Sequence, residues 1–166
     1  MRKYLIILGV LVALLIVFVV LNMQLGKDDT RPLLENAYNN NGRIAALSQE
    51  ATSRSSVYGL KVAAANIQAV TASDAQSLAS YYKKRFSKTI KSYKPSGDQT
   101  LASLKKTEDG VAFDNQFKQL ITQELESNIA TMRSVTNNTK RADLKDLMNQ
   151  AINNQSQAVE QIKNLP

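Results

Sequence analysis

From Tyr4 to Leu21 the chain reads "YLIILGVLVALLIVFVVL", eighteen residues without a charge, fifteen of them Leu, Ile, Val or Phe. A helix with no polar face is predicted there. At roughly −0.4 kcal/mol for each such residue, the run favours a bilayer by about 6 kcal/mol. At ~1.5 Å per residue it covers about 27 Å, close to the hydrocarbon thickness of a membrane. A cleaved signal peptide needs small residues after its apolar run, whereas bulky Leu21, Met23 and Leu25 stand here. The expectation is therefore an uncleaved transmembrane anchor at 4–21. Arg2 and Lys3 before the span predict a cytoplasmic stub at 1–3, followed by a polar tether at 22–31 and an extracytoplasmic helical bundle at 32–166.

Beyond the tether the apolar spacing changes to threes and fours. "TRP" at Thr30 to Pro32 is a helix start, with Thr as cap and Pro in the first turn. A helix from Arg31 to the low fifties has Leu34, Tyr38, Ala45 and Ser48 on one stripe, with Leu33, Ala37, Ile44, Leu47 and Ala51 alongside it. "NNNG" at Asn39 to Gly42 weakens its middle by propensity. "SVYGLKVAAANIQAVT", Ser56 to Thr71, is apolar around most of its circumference and predicts a central, buried helix that either continues the first or follows it. "SDAQ" at Ser73 to Gln76 has capping-box spacing and predicts a new helix running to about Tyr93, ended by "KPSGD". After a short amphipathic piece, "DQTLASLKK", two helices are predicted at about Phe113 to Val135 and Lys140 to Leu165. Strand periodicity is missing, so the fold class expected is all-α: an N-terminal transmembrane helix followed by an antiparallel four-helix bundle.

Two features carry candidate chemistry. "YYKKRFSKTIKSYK", Tyr81 to Lys94, holds six cations and four aromatics. On a continuous helix Tyr82, Phe86, Ile90 and Tyr93 fall on the core stripe, while Lys84, Lys88 and Lys91 face the opposite way. Base stacking needs aromatics and cations on one face, so nucleic acid is not expected. Two readings of the basic patch stay open: a solvated face, or a surface meeting anionic envelope polymer or lipid head groups. The second feature is polarity inside the apolar arcs: Glu124 and Asn128 among Phe117, Leu120, Ile121, Met132 and Val135, and Gln155 among Leu144, Met148, Ala151, Val159 and Ile162. A buried carboxylate needs a partner, which predicts a hydrogen bond from Glu124 to Gln155 or Asn128, or a wet Glu124.

Composition narrows the chemistry further. The 166 residues include no Cys, His or Trp, and the formal net charge is +7. Disulfides, thiolate or imidazole metal sites and ordinary catalytic triads are thereby excluded.

"GVAFDNQFKQLITQELESNIATM", Gly110 to Met132, with "ADLKDLMNQAINNQSQAVEQIKNL", Ala142 to Leu165, resembles the ferritin-like domain-of-unknown-function families of exported bacterial proteins. Phe113, Asp114, Phe117 and Ile129 match the first helix of that pattern. Ile152, Gln155, Val159 and Ile162 match the second, with Ala158 in place of an acid. The resemblance implies a ferritin-like four-helix bundle. Its one or two His positions fall on Glu124 and Leu125, so neither metal nor any other cofactor is expected.

The function expected from these features is a non-enzymatic, membrane-anchored binding or structural module of the cell envelope. Its partners would be the lipid bilayer through the N-terminal helix, with anionic polymer or head groups at the basic patch. The alternative is a carboxylate-based metal-binding or redox bundle using Glu124 with acids such as Glu50 or Glu160.

Overall fold

The computed structural model describes residues 30–165. Five helices account for most of them: α1 (Arg31–Arg54), α2 (Tyr58–Phe86), α3 (Gln99–Lys106), α4 (Val111–Asn138) and α5 (Ala142–Lys163). No strand occurs among the described residues.

The fold expected from sequence is corrected in its membrane component. Among the described residues no helix is long and apolar enough to cross a membrane. The single-pass anchor, and the extracytoplasmic location that depended on it, are therefore not carried forward. The segment that motivated them, 4–21, lies outside the described residues.

The four long helices form the bundle, and side-chain contacts fix their directions. Tyr82 near the end of α2 accepts a hydrogen bond from Arg31 Nε at the start of α1 (2.7 Å) and donates one to Glu35. Asn41 of α1 meets Asn128 of α4, and Arg54 at the end of α1 lies 4.4 Å from the Phe113 ring at the start of α4. Lys163 near the end of α5 pairs with Glu126 of α4 at 2.8 Å. Helices α1 and α2 are thus antiparallel, as are α4 and α5, and α1 also runs antiparallel to α4. That order requires one long crossover, residues 87–110, which carries the chain from the end of α2 back along the bundle to the start of α4. One long crossover is the connectivity of ferritin-like bundles.

The core follows the 3.6-residue period. Leu34, Ala37, Ile44, Leu47 and Ala51 of α1, Leu60, Ile67, Leu78 and Tyr82 of α2, Phe113, Phe117, Ile121, Leu125 and Met132 of α4, and Leu144 and Met148 of α5 are each at most 1% exposed. All six positions of the arc read on the last helix are buried, Gln155 among them. The stretch 56–71, expected to be central, is not: Tyr58 is 81% exposed and Val62 40%. Its non-core face carries Val57, Val62, Ala65, Ala69 and Val70, which a wheel cannot tell from core.

Three boundaries differ from the sequence reading. The break between the first helices lies at Ser55–Val57, where Ser55 takes an extended ψ and bonds Ala51 O through its N–H. Helix α2 runs unbroken through Ser73–Gln76, so the capping-box spacing starts nothing there. It ends at Phe86, not Tyr93, because Ser87 adopts a left-handed φ of 53°, an αL stop of the kind that closes many helices. Ile90 and Tyr93 consequently belong to the crossover, and Ile90 still reaches the core at 6% exposure.

The crossover lies against α1, and Gly42 makes that approach feasible. A Cβ at Gly42 would stand 2.5 Å from Tyr93 Cβ and 2.8 Å from Cγ, separations that real side chains do not tolerate. "NNNG" therefore serves the packing of the crossover, and α1 is continuous through it. Gly42→Ala is predicted to destabilise by about 1–3 kcal/mol through overpacking, although Ala is the better helix former by ~1 kcal/mol. Urea denaturation measures the difference; a stabilised variant would show that Tyr93 moves aside freely.

Candidate functional site: a polar centre in the bundle

At mid-bundle each of the four long helices contributes one polar side chain to the interior: Asn41 from α1, Asp74 from α2, Asn128 from α4 and Gln155 from α5. Asn41, Asn128 and Gln155 are fully buried, and Asp74 is 8% exposed. They form one network. Asn128 Nδ2 donates to Asn41 Oδ1 at 2.7 Å and to Gln155 Oε1 at 3.0 Å. Gln155 Nε2 donates to Asn41 Oδ1 at 2.9 Å and to Asp74 Oδ2 at 3.3 Å. Asn41 Nδ2 and Asn128 Oδ1 have no partner. Burial pushes the Asp74 carboxyl above its ordinary pKa, and hydrogen bonds from Gln155 and Asn154 only partly offset this.

The sequence arcs identified Asn128 and Gln155, and the two are in direct contact. They missed Asn41 and Asp74, both assigned to local backbone signals. Asp74 shares the inner face of α2 with Thr71 and Leu78, three and four residues away; that spacing was the available signal.

Glu124 is corrected. It does not join Asn128 or Gln155; its Oε2 lies 3.1 Å from Arg43 Nη1, with the Glu124 side chain 16% exposed. Arg43 also donates through Nε to Asp98 Oδ2 at 2.6 Å. Asp98 is the hub of this second network. It accepts from Tyr93 Oη at 2.9 Å and caps α3 through Leu101 N at 3.0 Å. Burial opposes ionisation of Asp98, yet the Leu101 N–H, Arg43 and Tyr93 outweigh it and hold the carboxyl below its ordinary pKa. Burial and the neighbouring Asp98 push the Tyr93 phenol up.

The carboxylates offered as a metal set are not brought together. Glu124 pairs with Arg43, Glu50 with Lys105, and Glu160 is exposed on α5. Among the described residues no group of three or more His, Cys, Asp or Glu could hold a metal ion. The basic patch is not one helical face either. Lys84 is exposed on α2, whereas Lys88 and Lys91 are exposed on the crossover after α2 has ended. Lys91 and Lys94 line an open cleft of about 770 Å³ that Arg43 and Asp98 also border.

No family model matches the chain, and no curated protein matches it in sequence. Solved structures do match. CopM in the Cu(II)-bound form is similar with a TM-score of 0.67 at 18% identity, covering 80% of this chain and 92% of CopM. The Cu(I)-bound form gives 0.68 over 80% and 91%, and the apo form 0.66 over 78% and 90%, each at 18% identity. Similarity at this identity establishes a shared fold: the chain is a helical-bundle protein of the architecture that CopM adopts.

Asp98 and Asp74 give opposite pH signatures. Asp98, lowered in the fold, contributes stability that is present at neutral pH and lost as pH falls through and below about 4. Asp74, raised in the fold, costs stability once it ionises above that range. Asp98→Asn is therefore predicted to destabilise at pH 7 and to flatten the acid limb. Asp74→Asn is predicted to stabilise at pH 7, the gain vanishing near pH 3. Urea midpoints at several pH values check both signs. Gln155→Leu is expected to cost about 2–4 kcal/mol, because it strands buried partners on three helices.

Proposed function

We propose that this protein is a non-enzymatic metal-binding helical bundle for soft monovalent ions. The observation that carries the proposal is its likeness over most of the chain to CopM, structures of which are Cu(I)-, Cu(II)- and Ag-bound. The donors in this chain select among those ions. Without His or Cys the interior has no imidazole or thiolate for Cu(II), zinc or iron, and its amides are largely engaged with one another. The carboxylate version of a metal bundle does not fit either, since the acids are dispersed. What the interior offers is thioether sulfur. Met132 on α4 and Met148 on α5, both fully buried, lie on the loop side of the Asn128–Gln155 contact in an antiparallel hairpin. Thioethers favour Cu(I) and Ag(I).

A second reading is favoured by the polar centre itself. Asn41, Asn128, Gln155 and Asp74 link all four long helices by hydrogen bonds at the level where a bundle cofactor would be held. In that reading the network fixes helix register, and the protein is a metal-free binding or structural module, as the ferritin-like resemblance with its replaced His positions implies.

The test is titration of the full-length chain with Ag(I) in chloride-free buffer and with Cu(I) under anaerobic conditions, followed by bound-metal analysis and thermal melting. One equivalent of Ag(I) should be retained, and saturation should raise Tm by about 5–10 °C, since ligand at ~100 Kd stabilises by about 2.7 kcal/mol. The double variant Met132→Leu/Met148→Leu should stay folded, within about 1.5 kcal/mol per volume-conserving swap, and lose the metal. Undiminished binding in that variant, or no binding by the parent, would overturn the metal reading in favour of the second.

A further inference from the structure

At the end of the bundle where α1 turns into α2, a small cavity of about 240 Å³ opens beside the start of α4 and the last described residue, Leu165. Its wall is mainly apolar: Val57, Leu60, Val111 and Leu165, with Asp114, Asn115 and Lys118 completing it. The rim leaves apolar surface in water. Val111 is 75% exposed, Val57 37%, and the adjacent Tyr58 81%. Exposed apolar groups around a concavity commonly mark a ligand site.

The second observation is the state of Asp114. It is 4% exposed, yet only one carboxylate oxygen is engaged: Oδ2 accepts from Ser56 N at 3.2 Å and from Ser56 Oγ at 2.5 Å. Oδ1 is buried and makes no hydrogen bond, although the Ser55 hydroxyl, which donates to Val57 O at 3.3 Å, lies close enough to favour the ionised carboxylate. A buried carboxylate oxygen without a donor is costly, and such groups are uncommon unless something satisfies them. Burial opposes ionisation here, but the Ser55 and Ser56 hydroxyls, the Ser56 N–H and nearby Lys118 hold the group below its ordinary pKa, so it stays an acceptor.

From the apolar wall and this one unsatisfied acceptor we infer that the cavity is a binding site for a small apolar molecule carrying a single hydrogen-bond donor head, an amine or an alcohol. The donor would meet Asp114 Oδ1 and the hydrocarbon part would lie against Val57, Leu60, Val111 and Leu165. The volume falls below the ~300–1,000 Å³ of ordinary ligand pockets, which limits the ligand to a handful of heavy atoms. An ammonium head would gain most from a charge-assisted hydrogen bond. The site is separate from the polar centre and from the proposed metal ligands, so it stands or falls independently of the metal reading.

The test uses methyl and amide NMR of the full-length chain titrated with n-butylammonium, butan-1-ol or butyrate at constant ionic strength. Butylammonium, butan-1-ol or both should give saturable shifts at Val57, Leu60, Val111 and Asp114, whichever binds tighter identifying the head group, and butyrate should give none. Asp114→Asn should weaken binding at least tenfold. Val111→Trp, at an exposed rim position, should close the cavity and abolish binding with Tm unchanged, so loss of ligand is not confused with loss of fold. No saturable response to either donor, an equal response to butyrate, or full affinity in Asp114→Asn would overturn the inference.

Discussion

The fold depends on how residues 87–110 are held against α1. Four long helices in this order can close only if the chain returns along the whole bundle between α2 and α4, and a return segment with one short helix has little core of its own. Two arginines of α1 compensate. Arg43 meets Asp98, which at the same time caps α3 and accepts from Tyr93. One end of α1 further on, Arg54 donates to the carbonyls of Leu104, Lys105 and Thr107, pairs with Asp109 and covers the Phe113 ring. Leu101 and Leu104 of α3 then add buried apolar surface between these two points.

Three consecutive residues of α1 concentrate this organisation. Asn41 faces inward to the amide network, Gly42 lies under Tyr93, and Arg43 reaches outward to Asp98 and Glu124. Successive helical positions differ by about 100° in direction, so one turn of one helix touches the bundle centre, the crossover and α4 together. The polar centre is thereby coupled to the crossover through shared backbone. Its location, with one side chain from each long helix, is where bundles of this kind place cofactors. In this chain three amides and the Asp74 carboxyl fill that level, and thioethers lie to one side of it.

How much of this could be read from sequence depended on whether a residue's role was local. The stripes of α4 and α5 were legible because both helices bury one continuous face, and Asn128 and Gln155 could be placed within it. Asn41 and Asp74 were not, since "NNNG" and "SDAQ" are also the local signatures of a helix break and a helix start. Only tertiary contacts with α4, α5 and the crossover override those signals. Glu124 was read into the core arc, but its side chain is partly exposed and pairs with Arg43, which lies 81 residues away on another helix. The crossover was misread as helix for a related reason: Ile90 and Tyr93 keep helical spacing with Tyr82 and Phe86, yet Ser87 turns the chain first. The cavity beside Asp114 had no sequence signal at all, being assembled from the α1–α2 turn, the start of α4 and the end of the described chain.

The partly buried Arg43–Asp98 contact holds the crossover on the bundle. A double-mutant cycle of Arg43→Met and Asp98→Asn, read by urea denaturation at pH 7, isolates that interaction from the cap and the packing that each residue also provides. The expected coupling energy is about 1.5–3 kcal/mol, the range for a hydrogen bond to a charged group. A coupling below about 0.5 kcal/mol, the level of an exposed ion pair, would mean that the crossover is held by other contacts.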